Sequence, residues 1–161
     1  VELWNGASWT KTSEFWGEII LDRNDNLLTA SVDAQFSSSP RCGLGVSQGT
    51  TNLPVLADAT KSSAYKLATD SSNRPVIAHT VRCTNDIDAE DSKQDITVRR
   101  WSGSSWKTLG SVVDRLANRG ASVIGLAVDS KNTTYVLFEQ CFTYSGTSCT
   151  NKHLYLSKYA R

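Results

Sequence analysis

The stretch Val98-Arg-Arg-Trp-Ser-Gly-Ser-Ser-Trp-Lys-Thr-Leu-Gly110 reads as a strand that ends in Trp, a turn that carries Gly, and a second strand that opens with Trp. The chain begins with a shorter copy, Val1-Glu-Leu-Trp-Asn-Gly-Ala-Ser-Trp9. In both copies the two tryptophans are five residues apart, and the glycine lies two residues after the first of them. A hairpin that recurs in this way predicts a chain built from repeats.

A second pattern recurs, in which an aspartate follows a short apolar run and Asp or Asn comes three residues later. Its copies are Asp22-Arg-Asn-Asp25, Asp70-Ser-Ser-Asn73 and Asp129-Ser-Lys-Asn132. Another short apolar run follows each copy, and polar turn residues between two such runs predict a β-hairpin. Asp70 follows Asp22 by 48 residues, and Asp129 follows Asp70 by 59 residues because a polar segment occupies 84–95. These intervals lie in or just beyond the range for four-stranded propeller blades.

Each repeat is expected to contain four strands, lettered A to D in chain order. Strands A and B flank the aspartate turn, and strands C and D form the tryptophan hairpin. The predicted strands of the repeat with Asp70 are 64–69, 75–81, 95–101 and 105–109. Strands C and D of the first repeat are predicted at 43–48 and 53–57, and strand C of the third at 154–159. No helix is predicted, and 112–119 is expected to be a connection with at most one helical turn.

Length and composition indicate one globular domain. The 161 residues are enough to form a hydrophobic core. Seventeen basic residues stand against 16 acidic ones, so the charge balance gives no sign of a nucleic-acid or anionic-membrane partner. The sequence contains no apolar run of about twenty residues, so no membrane span is predicted. The chain starts with Val1 rather than Met, which indicates a processed product or an excised segment.

Four cysteines, an even number without a C-x-x-C pair, favour disulfides in an oxidising compartment over a zinc site. The expected location is therefore secreted or at the cell surface. Cys141 ends predicted strand B of its repeat and Cys149 precedes strand C, so they bracket one loop. Cys42 and Cys83 fall at the same end of neighbouring repeats. Of the three possible pairings we predict Cys42–Cys83 and Cys141–Cys149, a prediction that depends on the strand assignments.

The Asp-Ser-x-Asn-x-x-Tyr-Val pattern and the later Trp-x-Gly-x-x-Trp-x-x-Leu-Gly pattern together resemble the blade repeats of secreted bacterial β-propeller proteins. The resemblance implies an all-β propeller-type fold of four-stranded antiparallel blades, with about three and a quarter blades in this chain. The implied division is a half-blade at 1–17, blades at 18–58 and 63–110, and an incomplete blade at 121–161. Because propellers usually have four to eight blades, it also implies further blades or self-association.

Aromatic residues supply two kinds of candidate. The motif residues Trp4, Gly6, Trp9, Trp101, Gly103 and Trp106 are expected to build the blades, with the indoles buried between neighbouring blades; the other interpretation is an exposed platform for sugar rings. Trp16 and its neighbour Phe15 lie outside the repeat frame and are candidate binding residues. Phe142 and Tyr144 are the second pair of binding candidates.

Acidic side chains give one metal candidate. Asp86, Asp88, Glu90 and Asp91 are close together in the polar segment and offer carboxylates that suit calcium, although such a charged loop is often only solvated. The Asp turns also present oxygens, but Asp and Asn are common in turns because their side chains bond nearby backbone. We therefore expect no obligatory cofactor, with calcium as the one possible ion.

Three functions remain open. The first is a non-enzymatic extracellular module for protein interaction or assembly, completed by further blades or by self-association. The second is a carbohydrate-binding, lectin-like propeller. The third is a glycosidase, for which Asp33 and Asp58 are available carboxylates, although nothing in the sequence places them opposite each other. No motif of a metalloprotease, serine hydrolase or phosphate-binding loop is present in the sequence.

Overall fold

The computed structural model describes residues 2–4, 6–11, 17–32, 43–56, 65–81, 95–111, 113, 120–145 and 148–160. Throughout these residues the protein is all-β and contains no helix, as the sequence predicts. Consequently no helix able to cross a membrane is found in the described ranges. The strands are β1 (Glu2–Trp4), β2 (Trp9–Lys11), β3 (Gly17–Leu21), β4 (Leu27–Val32), β5 (Leu44–Gln48), β6 (Thr51–Asn52), β7 (Tyr65–Thr69), β8 (Pro75–Val81), β9 (Asp95–Trp101), β10 (Trp106–Thr108), β11 (Ala121–Val128), β12 (Thr134–Ser145) and β13 (Ser148–Tyr159).

The strands form four antiparallel sheets in which chain neighbours are also sheet neighbours. β1 and β2 form an N-terminal hairpin; β3 to β6 form sheet I, β7 to β10 form sheet II, and β11 to β13 form sheet III. Each is an open meander, and the described strands do not close into a barrel. The order A-B-C-D predicted for the repeat with Asp70 is the order of sheet II.

Strand boundaries depart most from the sequence prediction in three places. In sheet I, the last strand was expected at 53–57, but β6 is Thr51–Asn52. The following residues still run beside β5, through hydrogen bonds from Leu53 N to Val46 O and between Leu44 and Leu56. Pro54 lies in this segment and has no N–H to give, which shortens the regular ladder. β10 (Trp106–Thr108) is likewise shorter than the predicted 105–109.

The third departure is in sheet III, where β12 and β13 are 12 residues each and much longer than expected. Cys141 therefore lies inside β12 rather than at its end, and Cys149 lies inside β13. The bridge between them is present, with their Cα atoms 5.8 Å apart. It crosses the hairpin where the register shifts between Cys141 and Tyr144. The other predicted pair, Cys42 and Cys83, lies outside the described residues.

Sheet II is the centre of the structure because both of its faces are buried. Alternation along its strands sends Tyr65, Leu67 and Ile77 towards sheet I, where they join one core cluster. Neighbouring positions face sheet III and join a second cluster, which contains Val76, Ala78, Ile96, Val98, Val123, Val136 and Phe138. A strand buried on both faces has an almost continuous apolar run, and β8 begins Pro-Val-Ile-Ala for this reason.

The tryptophan hairpin packs against the core cluster between sheets I and II. Trp101 and Trp106 face each other across β9 and β10, and their rings meet edge to face with centroids 5.5 Å apart. Both side chains are partly buried against the cluster between sheets I and II, and Trp106 Nε1 donates a 2.7 Å hydrogen bond to Pro54 O. The N-terminal hairpin repeats the backbone, since Trp4 pairs with Trp9. The turn glycines correspond too, with φ of 96° at Gly6 and 101° at Gly103.

Gly110, which ends the tryptophan motif, offers a test of this packing. It has φ of 71°, and a Cβ added there would lie 3.0 Å from Cδ2 of Tyr159. We expect Gly110→Ala to lower the free energy of unfolding by about 2 kcal/mol, because backbone strain and a steric clash coincide. Gly49→Ala is the matched control, with φ of 58° and its nearest contact at 3.9 Å. Urea unfolding of both variants measures the difference; equal losses would contradict close packing of Gly110 on Tyr159.

Candidate interaction surface

The three aspartate turns share one hydrogen-bond pattern. In each, the Asp carboxylate Oδ1 accepts the backbone N–H groups two and four residues later, at 2.8–2.9 Å. The residue three positions after each Asp donates its N–H to the Asp carbonyl and has φ near +60°: Asp25, Asn73 and Asn132. Asp and Asn tolerate this left-handed conformation better than most residues. The sequence pattern therefore encodes the turn directly.

The carboxylate of Asp22 is buried, with 4% of the residue exposed, yet its pKa is lowered. Burial by itself would raise its pKa, but hydrogen bonds from Gln48, Asn26 and Asn24 outweigh burial and hold the pKa well below the ordinary value. Gln48 Nε2 donates to Asp22 Oδ2 at 2.8 Å. The aspartate thus fastens its own turn to strand β5.

Asp70, which is fully buried, uses cations for the same purpose. Its Oδ2 lies 2.7 Å from Arg74 Nη2 and 3.8 Å from Arg100 Nη1. Burial raises the pKa of this carboxyl. The hydrogen bonds from Arg74 and Ser72 and the charge of Arg74 lower it by more, so the pKa of Asp70 is below the ordinary value. Arg100 on β9 is the counterpart of Gln48 on β5. Arg100 pairs with Val76 on β8, and Gln48 pairs with Leu28 on β4.

Asparagine side chains connect the turns of successive sheets. Arg23 N, next to Asp22, donates to Asn73 Oδ1 of sheet II at 2.8 Å. Ser71 N, next to Asp70, donates in the same way to Asn132 Oδ1 of sheet III at 2.8 Å. At the first junction Gln48 Nε2 also donates to Asn73 O at 3.0 Å, and Asn73 Nδ2 donates to Asp22 Oδ2 at 3.1 Å. We call this repeated contact the turn relay.

A second link joins the first strands of sheets I and II. Leu67 N on β7 donates to Glu18 Oε2 on β3 at 2.9 Å, and Lys66 Nζ lies 3.4 Å from Glu18 Oε1. Burial raises the pKa of Glu18, against the lowering effect of Lys66 and the Leu67 N–H. The sheets therefore meet along their first strands as well as through their apolar faces.

The face of sheet III that points away from sheet II, here called the outer face, exposes apolar side chains. Leu154 is 63% exposed and Leu156 is 68% exposed. Leu156 pairs with Leu137 across the sheet, as Val46 pairs with Ala30 and Val98 with Ala78 in the other sheets. Val46 and Val98, however, are 1% and 3% exposed, because the next sheet covers them.

The same comparison holds one step further along the strands. Leu154 pairs with Glu139, as Leu44 pairs with Val32 and Ile96 with Thr80. Leu44 and Ile96 are fully buried. The outer face thus has apolar residues at the positions that sheets I and II use to bind the following sheet. Sequence reasoning missed these two leucines as functional candidates, because the segments between the second and third strands differ in length and only the strand pairing aligns the third strands.

Phe142 and Tyr144, the predicted aromatic binding pair, lie two residues apart on β12. Phe142 is 47% exposed and stacks in parallel on the exposed His153, with ring centroids 4.5 Å apart. Tyr144 is partly buried, and its hydroxyl oxygen accepts a 2.8 Å hydrogen bond from Gly120 N. The exposed platform therefore consists of Phe142 and His153, and His153 was not among the predicted residues.

Other predicted candidates lie outside the described residues: Phe15, Trp16, Asp86, Asp88, Glu90 and Asp91. Within the described ranges no group of three or more His, Cys, Asp or Glu side chains is placed to hold a metal ion. A cleft of about 170 Å³ lies between sheets II and III, beside Gly110, Val113 and Tyr159. Ordinary ligand pockets measure about 300–1,000 Å³, so this cleft is small for an organic ligand.

Comparison with known proteins adds no relative. No protein-family model, curated protein or solved structure matches this chain.

Asp70 tests the electrostatics of the turns. The pKa of Asp70 is lowered in the folded protein, so its carboxylate contributes to stability. That contribution is fully present above the ordinary Asp pKa of about 3.9 and is lost as pH falls through the lower folded-state pKa. We expect Asp70→Asn to cost about 3 kcal/mol at neutral pH, because Arg100 keeps its charge in a buried place. The variant should also lose less stability than the wild type between neutral pH and pH 2.

Asp129→Asn is the control for this prediction, because Asp129 has no salt bridge within the described residues. The amide oxygen of the substituted Asn side chain can still accept the two turn N–H groups. Urea unfolding across that pH range is the measurement. An Asp70→Asn variant as stable as Asp129→Asn would show that the buried ion pair contributes nothing.

Proposed function

We propose that this chain is a β-propeller-type repeat segment of a secreted or cell-surface protein, and that it works without catalysis by binding protein through the outer face of sheet III. The observation that carries the proposal is the exposure of Leu154 and Leu156 at positions that are buried in both other sheets. Contiguous exposed apolar side chains on a folded domain mark interaction sites.

Architecture supports the propeller part of the proposal. Three meanders follow one another face to face, with first strands β3, β7 and β11 in contact from sheet to sheet. The turn relay repeats at both junctions. On this interpretation β11 to β13 are strands A to C of their blade, and the N-terminal hairpin is a further copy of the C–D motif. The disulfide between Cys141 and Cys149 is in keeping with an oxidising compartment.

A residue-specific cross-link tests the interaction. We would place the photo-reactive residue p-benzoylphenylalanine at position 156, in place of Leu156, and expose the protein to light both alone and in extracellular extract of its source. We expect a cross-link to protein, with the attached peptide identified by mass spectrometry. The same residue at position 104 is the control, since Ser104 is an exposed residue of the tryptophan turn. Cross-linking at 156 no stronger than at 104 would refute the proposal.

Carbohydrate binding is the second candidate, and the Phe142–His153 stack is the observation that favours it. Exposed aromatic faces suit the apolar faces of sugar rings. Thr143 and Thr150 next to the stack are exposed as well, and Thr150 Oγ1 donates to Thr143 O at 3.0 Å. A sugar on Phe142 would therefore have polar neighbours on the same hairpin.

A glycan array followed by calorimetry tests this alternative. We expect Phe142→Ala to weaken binding of any captured glycan at least about tenfold, because it removes the ring on which the sugar stacks. Leu154→Ala is the matched control, an exposed apolar residue on the same hairpin but on the outer face. Equal binding by both variants, or none by the wild type, would exclude the stack as a sugar site.

A further inference from the structure

We infer that the partner of the outer face is sheet I of a second copy of this chain, bound head to tail. The inference rests on the proposed function and names its partner. Inside the chain, sheets I and II each bind the following sheet through a turn relay and an apolar face. The outer face of sheet III carries one side of such a contact, and the face of sheet I that points away from sheet II carries the other side.

The turn relay supplies the first half. The donor N–H follows the turn aspartate, at Arg23 and at Ser71, and the acceptor is the Asn of the next sheet. The equivalent donor in sheet III is Ser130 N, which is exposed and has no acceptor within the described ranges. The equivalent acceptor in sheet I is Asp25, which is exposed and adopts φ of 60°, like Asn73 and Asn132. Ser130 of one copy therefore matches Asp25 of another.

Charge changes at these positions are complementary. Gln48, which donates to the backbone of Asn73, aligns with Lys158 in sheet III, because Gln48 lies opposite Leu28 and Lys158 opposite Tyr135. Lys158 is exposed, with Nζ 5.8 Å from the centroid of the Tyr135 ring on the outer face. A neutral Gln–Asn contact inside the chain thus becomes a Lys–Asp contact between copies. Asp25 takes the place of Asn73, whose Nδ2 donates to Asp22 Oδ2, so the carboxylates of Asp25 and Asp129 would lie close together with Lys158 as their counter-charge.

Apolar positions agree with this pairing. Leu21 of sheet I precedes Asp22 and is 60% exposed; its counterpart Val128 precedes Asp129 and packs in the core between sheets II and III. Leu27, directly opposite Leu21, is 40% exposed, whereas its counterpart Thr134 is 2% exposed. Sheet I therefore has exposed leucines on the face that sheets II and III use to bind the preceding sheet.

A two-fold contact between outer faces fits less well. It would not offer Ser130 N the acceptor of the turn relay, because Asp25 belongs to the turn of sheet I and not to the outer face. The head-to-tail contact is heterologous, and such contacts close into rings or continue as open chains. Assembly beyond the dimer is therefore expected as concentration rises.

Sedimentation velocity on the 161-residue chain tests the inference with two surface variants. Leu156→Lys spoils the outer face and Leu21→Lys spoils sheet I, and both residues are exposed enough for the fold to tolerate the change. We expect the wild type to assemble with concentration and each variant to remain monomeric. Mixing the two variants should give a dimer that grows no further, because each retains one intact face. Circular dichroism verifies folding.

Ser130→Pro examines the turn relay itself. It removes the donor N–H at the second position of the turn, which proline suits, and Ser130→Ala is the control that keeps the N–H. We expect Ser130→Pro to weaken assembly about tenfold relative to Ser130→Ala, since the acceptor is charged. Equal assembly by both would overturn the relay contact, and so would an unaffected Leu21→Lys variant.

The outcomes separate this inference from the proposed function. A wild type that stays monomeric, or a cross-link from position 156 to a different protein alone, overturns the second-copy partner and leaves protein binding intact. A cross-link to a β3 or β4 peptide of the same chain supports both. No cross-link to any protein overturns both.

Discussion

The structure depends on one repeated interaction, in which a turn aspartate accepts two backbone N–H groups of its own hairpin. Oδ1 of Asp22, Asp70 and Asp129 satisfies donors that the tight turn leaves without ladder partners. The other oxygen remains available for a long side chain from the sheet's third strand or for a neighbouring residue. One carboxylate therefore fixes a hairpin and binds it to the strand beyond.

This interaction also sets how the sheets stack. The turns of sheets II and III hold Asn73 and Asn132 in the left-handed conformation, and each Asn side chain accepts the N–H beside the aspartate of the preceding sheet. Because the turns are joined at one end, the apolar faces behind them come into register. Phe138, fully buried against sheet II, is an example of a core position that this registration allows. Polar turn contacts provide the orientation, and burial of apolar area provides most of the stabilisation.

A stack built by repetition has two ends that differ from its interior. At one end Leu154 and Leu156 are exposed at positions where the interior sheets are covered. At the other end, sheet I presents Leu21 and Leu27 where the following sheets are covered. The exposed leucines therefore occupy the same positions as residues that bind neighbouring sheets inside the stack. For this reason the partner surface can be inferred from the chain's own geometry.

The sequence by itself determined the local structure. An Asp followed three residues later by Asp or Asn specified three hairpins, Trp-x-Gly-x-x-Trp specified a second kind of turn, and alternating apolar residues specified antiparallel strands. These features depend on neighbours within a few residues, and β8 and β9 begin and end where the sequence places them. The Cys141–Cys149 bridge also follows from nearby residues, although both strands run past it.

Tertiary structure alone decided which faces are covered. Leu156 and Val98 are both aliphatic and occupy equivalent positions, yet one is exposed and the other buried, because burial depends on whether another sheet lies beside them. The stacking of Phe142 on His153 and the separate anchoring of Tyr144 at Gly120 likewise depend on the register shift in the β12–β13 hairpin. Local pattern fixes the direction of a side chain, whereas its exposure is a property of distant parts of the chain.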